Sequence, residues 1–187
     1  LAFPEIMERG GFDAFVGNPP FRGGLMITRD EGLPYTLFLK QFTSKAGTTT
    51  DLCAYFIRKA HLLLAVNGLL GFITTNSIAE GDTRDAALSE IIHLGGSIFR
   101  AIKSLEWPGG AALHVSLIHI AKCRWIAPYV LDNQVVSLIG PQLSSEQNCS
   151  NPEVLNCIVS AFLGTTVYGK GFFLDNDEVT SLLKNPE

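Results

Sequence analysis

The segment FDAFVGNPPF, residues 12–21, is the most informative part of the sequence. Its first six residues predict a short, buried, apolar strand, which Asn18-Pro19-Pro20-Phe21 then ends abruptly. Two successive prolines fix the backbone and remove two hydrogen-bond donors. The tetrapeptide therefore predicts a rigid polar group beside a flat aromatic surface at the carboxyl end of a strand.

The composition is that of an apolar, weakly charged chain. Of the 187 residues, 47% are hydrophobic and 17% are charged, and the formal net charge is −4. These values favour core-rich material, part of whose surface a larger protein covers. A negative net charge does not by itself support nucleic-acid binding, so any DNA contact needs a local patch or a further domain.

No segment predicts a membrane span or a secretion signal. No run reaches the ~18 apolar residues expected of a transmembrane helix. No basic region precedes an apolar stretch at the amino terminus. We therefore expect no membrane partner and a cytoplasmic location.

Cysteine and histidine positions do not indicate a metal site. The cysteines lack the close pairs that bind metals, and the four histidines share no helical spacing with acids or cysteines. We expect buried free thiols and no metal. The four cysteines are Cys53, Cys123, Cys149 and Cys157.

Strand and helix patterns alternate downstream of the tetrapeptide, which predicts an α/β sheet with helices packed on it. A long connection over residues 22–50 comes first. The predicted strands are 12–17, 69–75, 98–103 and 113–121, and the predicted helices run from Asp51 to about residue 66 and from Asp82 or Thr83 to Gly95-Gly96. The strand at 69–75 is apolar throughout and so is expected to be buried on both faces. Because no helix separates the last two strands, they predict an antiparallel hairpin at the edge of the sheet.

The first predicted helix has a clear apolar stripe. The stripe consists of Leu52, Phe56, Ala60, Leu63 and Leu64, and the basic residues Arg58, Lys59 and His61 lie elsewhere. The pattern thus predicts that Phe56 is on the buried side and that the three basic residues are not.

Beyond residue 122 the pattern weakens. A hairpin is expected at 129–139, and short helices are expected at 152–162 and 175–183. A boundary near residue 124 would divide the chain into a sheet domain, 1–123, and an extension, 124–187.

An Asn-Pro-Pro-Phe sequence at this position suits chemistry on the amino group of a planar base. Ligand sites in open α/β sheets lie outside the carboxyl ends of the strands. The amino nitrogen of adenine is conjugated with its ring, so acceptors on both amino hydrogens are needed to free its lone pair. The side-chain oxygen of Asn18 and the carbonyl of Pro19 can be those acceptors, and Phe21 offers a stacking face worth ~1–3 kcal/mol. The alternative is a simple turn after a strand.

The tetrapeptide and its surroundings together resemble one family. They are similar to S-adenosylmethionine-dependent DNA adenine-N6 methyltransferases, specifically the single-chain type II restriction–modification enzymes and their phage-defence relatives. The resemblance covers roughly residues 3–122 and rests on the segments 12–17, 18–21, 51–56, 71–76, 81–84 and 107–111. It implies the carboxyl half of a Rossmann-like, class I methyltransferase sheet.

The resemblance implies catalytic roles for the tetrapeptide. Asn18 and Pro19 would accept the hydrogens of the adenine amine, Pro20 would hold the backbone rigid, and Phe21 would stack on the base. The base must leave the duplex to reach them, so the implied partner is duplex DNA with a flipped adenine. The methyl donor would be S-adenosylmethionine, and methylation would need no metal.

Two further residues are implied to bind the substrate. Asn76 closes the second strand and would face the same cleft. Trp107 lies in the turn of the last hairpin, where the relatives place another contact to the flipped base. The alternative for Trp107 is that it anchors this turn on the core.

The sequence departs from the family at the cofactor site. The family's glycine-rich turn and the acid that holds the ribose precede the tetrapeptide, whereas here 17 residues precede Asn18 and supply neither. We therefore expect a fragment that lacks the amino-terminal cofactor-binding half, is inactive alone and binds S-adenosylmethionine poorly. Asn18 alone is expected to border the cofactor pocket, and the extension would lead toward a target-recognition domain.

Two other functions fit the same residues. A similar tetrapeptide serves relatives that methylate RNA adenine or a protein glutamine amide. A catalytically incomplete nucleic-acid-binding or scaffold module is the other alternative, and the missing cofactor elements favour it.

Overall fold

The computed structural model describes residues 3–107 and 114–146. The predicted helices at 152–162 and 175–183, and the turn residues 108–113, lie outside this range. The helices are α1 (Pro4–Glu8), α2 (Gly24–Lys40), α3 (Leu52–Leu63), α4 (Gly81–Arg84) and α5 (Glu90–His93). The strands are β1 (Phe12–Gly17), β2 (Leu64–Thr75), β3 (Ser97–Glu106), β4 (His114–Ala121), β5 (Tyr129–Leu131) and β6 (Gln134–Val136).

The strands form one six-stranded mixed sheet in the order β1-β2-β4-β3-β5-β6. β1 runs parallel to β2, and β4 lies antiparallel between β2 and β3. β5 adds parallel to β3, and β6 closes the described sheet antiparallel to β5. An α/β sheet is thus observed, as the alternating pattern predicts.

The main core lies between the sheet and the helices of one face. From Gly68 onward, alternate residues of β2 are buried, because successive side chains of a strand point to opposite faces. Helix α3 and the helical segment 81–93, which joins α4 to α5 through a single π turn at Asp85–Ser89, supply the opposing side chains. The core includes Ile57, Leu70, Phe72, Leu88, Ile91, Ile98, Ile118 and Ile120.

Two burial predictions are wrong for the described residues, namely that the strand at 12–17 is buried and that the strand at 69–75 is buried on both faces. Val16 is 90% exposed and Leu69 is 37% exposed, although both are apolar. Among the described strands, β1 pairs with β2 alone, and the described helices pack on the opposite face. The face that carries Val16 and Leu69 is therefore open.

The start of helix α3 is as predicted, but its end and its buried face are not. Asp51 caps the helix, because its carboxylate accepts a hydrogen bond from the Cys53 N–H at 2.9 Å. The helix ends at Leu63 rather than near residue 66, and the chain enters β2 directly. Asn67 has a φ of 66° and forms an irregularity inside β2, so it does not end the helix.

The buried face of α3 includes charged residues. Arg58 is 5% exposed and His61 is 3% exposed, whereas Phe56 is 47% exposed. Arg58 lies 4.0 Å from Glu90 of α5, an ion pair that compensates for part of its burial. The apolar periodicity gave the wrong buried side for α3, because it treats every basic residue as exposed even when an acidic partner is present.

The long connection predicted over residues 22–50 contains a helix. Helix α2 spans Gly24–Lys40 and is kinked at Gly32, where φ is 81° and ψ is 168°. A glycine and Pro34 two residues later interrupt the sequence signal for a helix, which explains why a connection was predicted.

The start of the helical segment 81–93 also differs in detail. Asp82 does not cap it; its carboxylate instead accepts hydrogen bonds from the N–H and the hydroxyl of Thr49 at 3.0 and 2.8 Å. These bonds hold its pKa below the ordinary aspartate value. The carboxylate thus ties the end of the long connection to the helices.

The two strands predicted to form an edge hairpin lie inside the sheet. β3 and β4 pair antiparallel as predicted, but β5 then pairs with β3 and carries the sheet one hairpin further. The β5–β6 hairpin, expected at 129–139, turns at Asp132 and Asn133, whose φ angles of 48° and 63° suit a tight turn. Ile139 and Leu143 are buried in the main core. The domain boundary near residue 124 stays a prediction.

The described residues contain no helix that is both long enough and apolar enough to span a membrane.

We expect the buried His61 to make the chain less stable in mild acid. Burial, followed by the charges of Arg58 and Lys122, lowers the pKa of His61 from 6.5 to about 4. Between these values the unfolded chain binds a proton at His61 and the folded chain does not. Stability is therefore complete above pH 6.5 and falls as the pH drops, by about 2 kcal/mol at pH 5.

Urea unfolding of the chain at pH 7 and pH 5 measures this effect. His61→Gln should lose about 2 kcal/mol less than the parent between the two pH values. His93→Gln, at an exposed histidine, serves as the matched control and should behave like the parent. An equal loss of stability in all three proteins would contradict the claim that His61 causes the destabilisation in acid.

Candidate functional site

The carboxyl ends of three strands and the start of a fourth lie at one edge of the sheet. β1 and β2 are parallel, with Gly17 opposite Phe72, so both carboxyl ends point the same way. β4 begins at this edge, with Val115 opposite Thr75, and β3 ends there, with Glu106 opposite His114. The sequence-predicted site residues Asn18, Asn76 and Trp107 each follow one of these ends, so the topology brings them to the same edge.

The tetrapeptide after β1 presents an unpaired amide. Asn18 is exposed, and its side chain forms no hydrogen bond within the described part of the chain. Pro19 is buried and Pro20 is exposed, and neither has an N–H to donate. Phe21 is half-buried and packs against the main core. The segment thus presents the Asn18 amide to solvent, close in sequence to an aromatic ring that packs on the core.

The loop after Phe21 is fixed to the start of helix α3. The N–H of Arg22 donates to Asp51 Oδ1 at 3.3 Å, and its carbonyl accepts from the Leu52 N–H at 2.8 Å. Sequence reasoning assigned Asp51 only the capping of α3. No sequence signal could have revealed the contact to Arg22, because the two residues are 29 positions apart.

The side chain of Asn76 is held by two serines. Its Nδ2 donates to Ser104 Oγ at 3.2 Å, and its Oδ1 accepts from Ser116 Oγ at 3.1 Å. The Ser116 hydroxyl also lies 2.6 Å from the carbonyl oxygen of Lys103, so two acceptors share its one proton. Asn76 therefore braces the end of β2 against β3 and β4, and its second amide hydrogen has no partner within the described residues.

A polar cavity adjoins Asn76. Its volume is about 280 Å³, and Asn76, Glu80, Lys103, Ser104 and Asp132 line it. Asp132, from the β5–β6 turn, accepts a hydrogen bond from the Lys103 N–H at 2.8 Å. The extension beyond residue 124 thus contributes Asp132 to this edge of the sheet. Sequence analysis did not predict this contribution, because the pairing of β5 with β3 places the turn there.

Trp107 is the last described residue before the gap at 108–113 and is half-buried. Its assignment as a contact to a base, or as an anchor of its turn, stays a prediction.

The titratable groups near the core do not suggest covalent or metal chemistry. Burial raises the pKa of the Cys53 thiol far above its ordinary value, so the thiol stays protonated and unreactive. Within residues 3–107 and 114–146, no group of three His, Cys, Asp or Glu side chains could hold a metal ion. What the site offers is hydrogen-bond acceptors and an aromatic face.

Known structures share this fold. The chain resembles the Type IIL restriction-modification enzyme MmeI, which was solved in complex with DNA, with a TM-score of 0.60 and 21% identity. That match covers 72% of this chain and 20% of MmeI. A Listeria monocytogenes protein described as a class I S-adenosylmethionine-dependent methyltransferase matches with a TM-score of 0.47 and 16% identity, over 71% of this chain and 39% of that one. The predicted α/β sheet is confirmed, and the matched part of MmeI has the same fold.

The family follows from the sequence itself. Residues 1–96, just over half of the chain, match the model of the Eco57I restriction-modification methylases. The chain belongs to this family, as its motifs predict. No curated protein matches the sequence. The chain spans about a fifth of the length of MmeI.

The bracing of Asn76 can be tested through stability. Ser116 is fully buried, so Ser116→Ala removes its hydroxyl bonds to Asn76 and to the Lys103 carbonyl where water cannot replace them. We expect a loss of about 1–2 kcal/mol in the free energy of unfolding, measured by urea denaturation.

Ser104→Ala is the matched control. Ser104 is exposed, so water can take over its hydrogen bond to Asn76, and the change should stay within about 0.5 kcal/mol. Equal losses for the two substitutions would contradict the claim that the buried Ser116 contributes more to stability than the exposed Ser104.

Proposed function

We propose that this chain is the acceptor side of a DNA adenine-N6 methyltransferase of the restriction–modification or phage-defence type. The observation that carries the proposal is the exposed Asn18 amide, which has no partner among the described residues and stands at the carboxyl end of β1. A free acceptor on a fixed backbone is what binding of an amino group requires. Membership of the methylase family supports the transfer of a methyl group.

Each residue of the tetrapeptide that contacts the adenine has its own role. The Asn18 side-chain oxygen and the Pro19 carbonyl each accept one hydrogen of the adenine amine. With both hydrogens engaged, the lone pair on N6 is less delocalised into the ring and can attack. Phe21 stacks on the base, and its packing on the core keeps that face in place.

S-adenosylmethionine supplies the methyl group. The N6–CH₃ bond forms as the sulfur–CH₃ bond breaks, and N6 then loses one proton to water, so no covalent enzyme intermediate and no metal are needed. The carboxyl end of β1 leaves room for this donor, since Val16 beside the tetrapeptide is 90% exposed. Asn18 would border the donor, and we assign no other residue of this chain to hold it.

The adenine must leave the duplex before the tetrapeptide can reach it. We propose duplex DNA as the partner, Asn76 and Trp107 as further contacts to the flipped base, and the cytoplasm as the location. MmeI, whose fold this chain shares, was solved in complex with DNA. Because the net charge of the chain is −4, the basic surface for DNA would come chiefly from an amino-terminal half and a target-recognition domain of a longer protein.

We expect Asn18→Ala in the full-length protein to abolish methylation without affecting folding. Losing one preorganised polar group at a reacting centre costs about 10²–10³-fold in rate. The exposed Asn18 side chain has no partner in the described residues, so the free energy of unfolding should change by less than about 0.5 kcal/mol. Mass spectrometry of nuclease-digested DNA measures the N6-methyladenine formed.

Gln134→Ala provides the control for this substitution. It removes an exposed amide from β6, away from the tetrapeptide, and should leave the rate unchanged. Methylation by Asn18→Ala at the rate of the parent would overturn the assignment.

The competing acceptors are RNA adenine and a protein glutamine amide, and the competing class is an incomplete binding or scaffold module. We expect the full-length protein to incorporate more methyl groups into duplex DNA than into RNA or protein, since the chain belongs to a restriction-modification methylase family and MmeI, whose fold it shares, was solved in complex with DNA. Greater incorporation into RNA or protein would mean that RNA adenine or a protein glutamine amide, rather than DNA adenine, is the substrate. Incorporation into none of the three would favour the incomplete module.

A further inference from the structure

The tetrapeptide is fixed at both of its ends. On its amino side, Gly17 pairs with Phe72 in the sheet. On its carboxyl side, both backbone polar groups of Arg22 are bound by the first residues of helix α3. The four residues between these points therefore have little freedom to shift relative to β2.

Asp51 makes more hydrogen bonds than a helix cap needs. The cap itself is the bond from the Cys53 N–H to Asp51 Oδ1 at 2.9 Å. The same oxygen also accepts the Arg22 N–H at 3.3 Å. The side chain thus joins the end of the tetrapeptide loop to the start of the helix.

Asp51 is itself held by a third element. Its backbone N–H donates to Thr83 Oγ1 of α4 at 3.0 Å, and Asp51 and Thr83 are 7% and 4% exposed. Nearby, a side chain on Gly24 could not fit, because its Cβ would lie 2.4 Å from the Thr48 carbonyl oxygen. Both ends of the long connection are therefore packed together behind the tetrapeptide.

We propose that Asp51 is a positioning residue for the methyl transfer. Together with the Leu52 N–H, it sets the position of Arg22 and so the direction of the Pro19 carbonyl and the Asn18 amide. This inference rests on the proposed function of the tetrapeptide. Positioning matters because a displacement of about 1 Å at a reacting centre can cost about 10²-fold in rate.

Two pairs of variants in the full-length protein separate positioning from helix capping. Asp51→Asn keeps an acceptor oxygen that can reach both N–H groups, whereas Asp51→Ser still caps the helix but has a shorter side chain that does not reach Arg22. Leu52→Pro removes the N–H that binds the Arg22 carbonyl, and Leu52→Ala keeps it while losing the same leucine packing.

Leu52→Pro is compatible with the local backbone. Leu52 is the first residue of α3, a position that proline favours, and Asp51 before it has φ −70° and ψ 149°, which a following proline tolerates. This pair tests the inference even if Asp51→Ser fails to fold.

The measurement is the single-turnover rate constant for N6-methyladenine formation at saturating DNA and S-adenosylmethionine. Loss of stability lowers the amplitude of the reaction, whereas misplacement of the tetrapeptide lowers its rate constant. We expect rate constants about 10–100-fold lower for Asp51→Ser than for Asp51→Asn, and for Leu52→Pro than for Leu52→Ala.

Equal rate constants for Asp51→Ser and Asp51→Asn would overturn the positioning role and leave Asp51 as a helix cap, and if Asp51→Ser does not fold, equal rate constants for Leu52→Pro and Leu52→Ala would overturn the claim that the hold on Arg22 positions the tetrapeptide. That result is distinct from failure of the proposed function, in which the parent forms no N6-methyladenine or Asn18→Ala retains the parental rate.

Discussion

The parallel pairing of β1 with β2 is the constraint on which this site depends. It sets Gly17 opposite Phe72, so the tetrapeptide follows β1 at the same edge of the sheet as the carboxyl end of β2. β4 then pairs with the other side of β2 and brings the end of β3 to the same edge. A slip of one residue in the first pairing would turn every side chain of β1 to the opposite face and move the tetrapeptide with it.

Asn76 and the Arg22 backbone are held by hydrogen bonds, whereas the Asn18 amide has no partner in the described part of the chain. Asn76 is held by Ser104 and Ser116, and the Arg22 backbone is held by the start of α3. This division suits a reaction that depends on fixed acceptors, since a group already in place need not reorganise as charge develops. Buried polar contacts stabilise the scaffold, and the exposed Asn18 amide is the group that we propose binds the substrate.

Sequence analysis correctly placed the element boundaries that are marked by a characteristic residue, such as a proline or a helix cap. β1 was placed residue for residue because its apolar run ends at Asn18-Pro19, and the start of α3 was placed because Asp51 is a strong cap. Elements that depend on distant partners were missed or misjudged. The ion pair of the buried Arg58 with Glu90 and the pairing of the predicted 129–139 hairpin with β3 both join residues far apart in the sequence. For the same reason, the second contact of Asp51 has no sequence marker.

The most direct test of the central claim is a structure of the full-length protein with duplex DNA and a non-reactive analogue of S-adenosylmethionine. We predict an adenine rotated out of the duplex, stacked on Phe21, with its N6 about 3 Å from both the Asn18 side-chain oxygen and the Pro19 carbonyl oxygen. A target base that remains stacked in the duplex, or an extruded base whose amine is bound by other residues, would contradict the account.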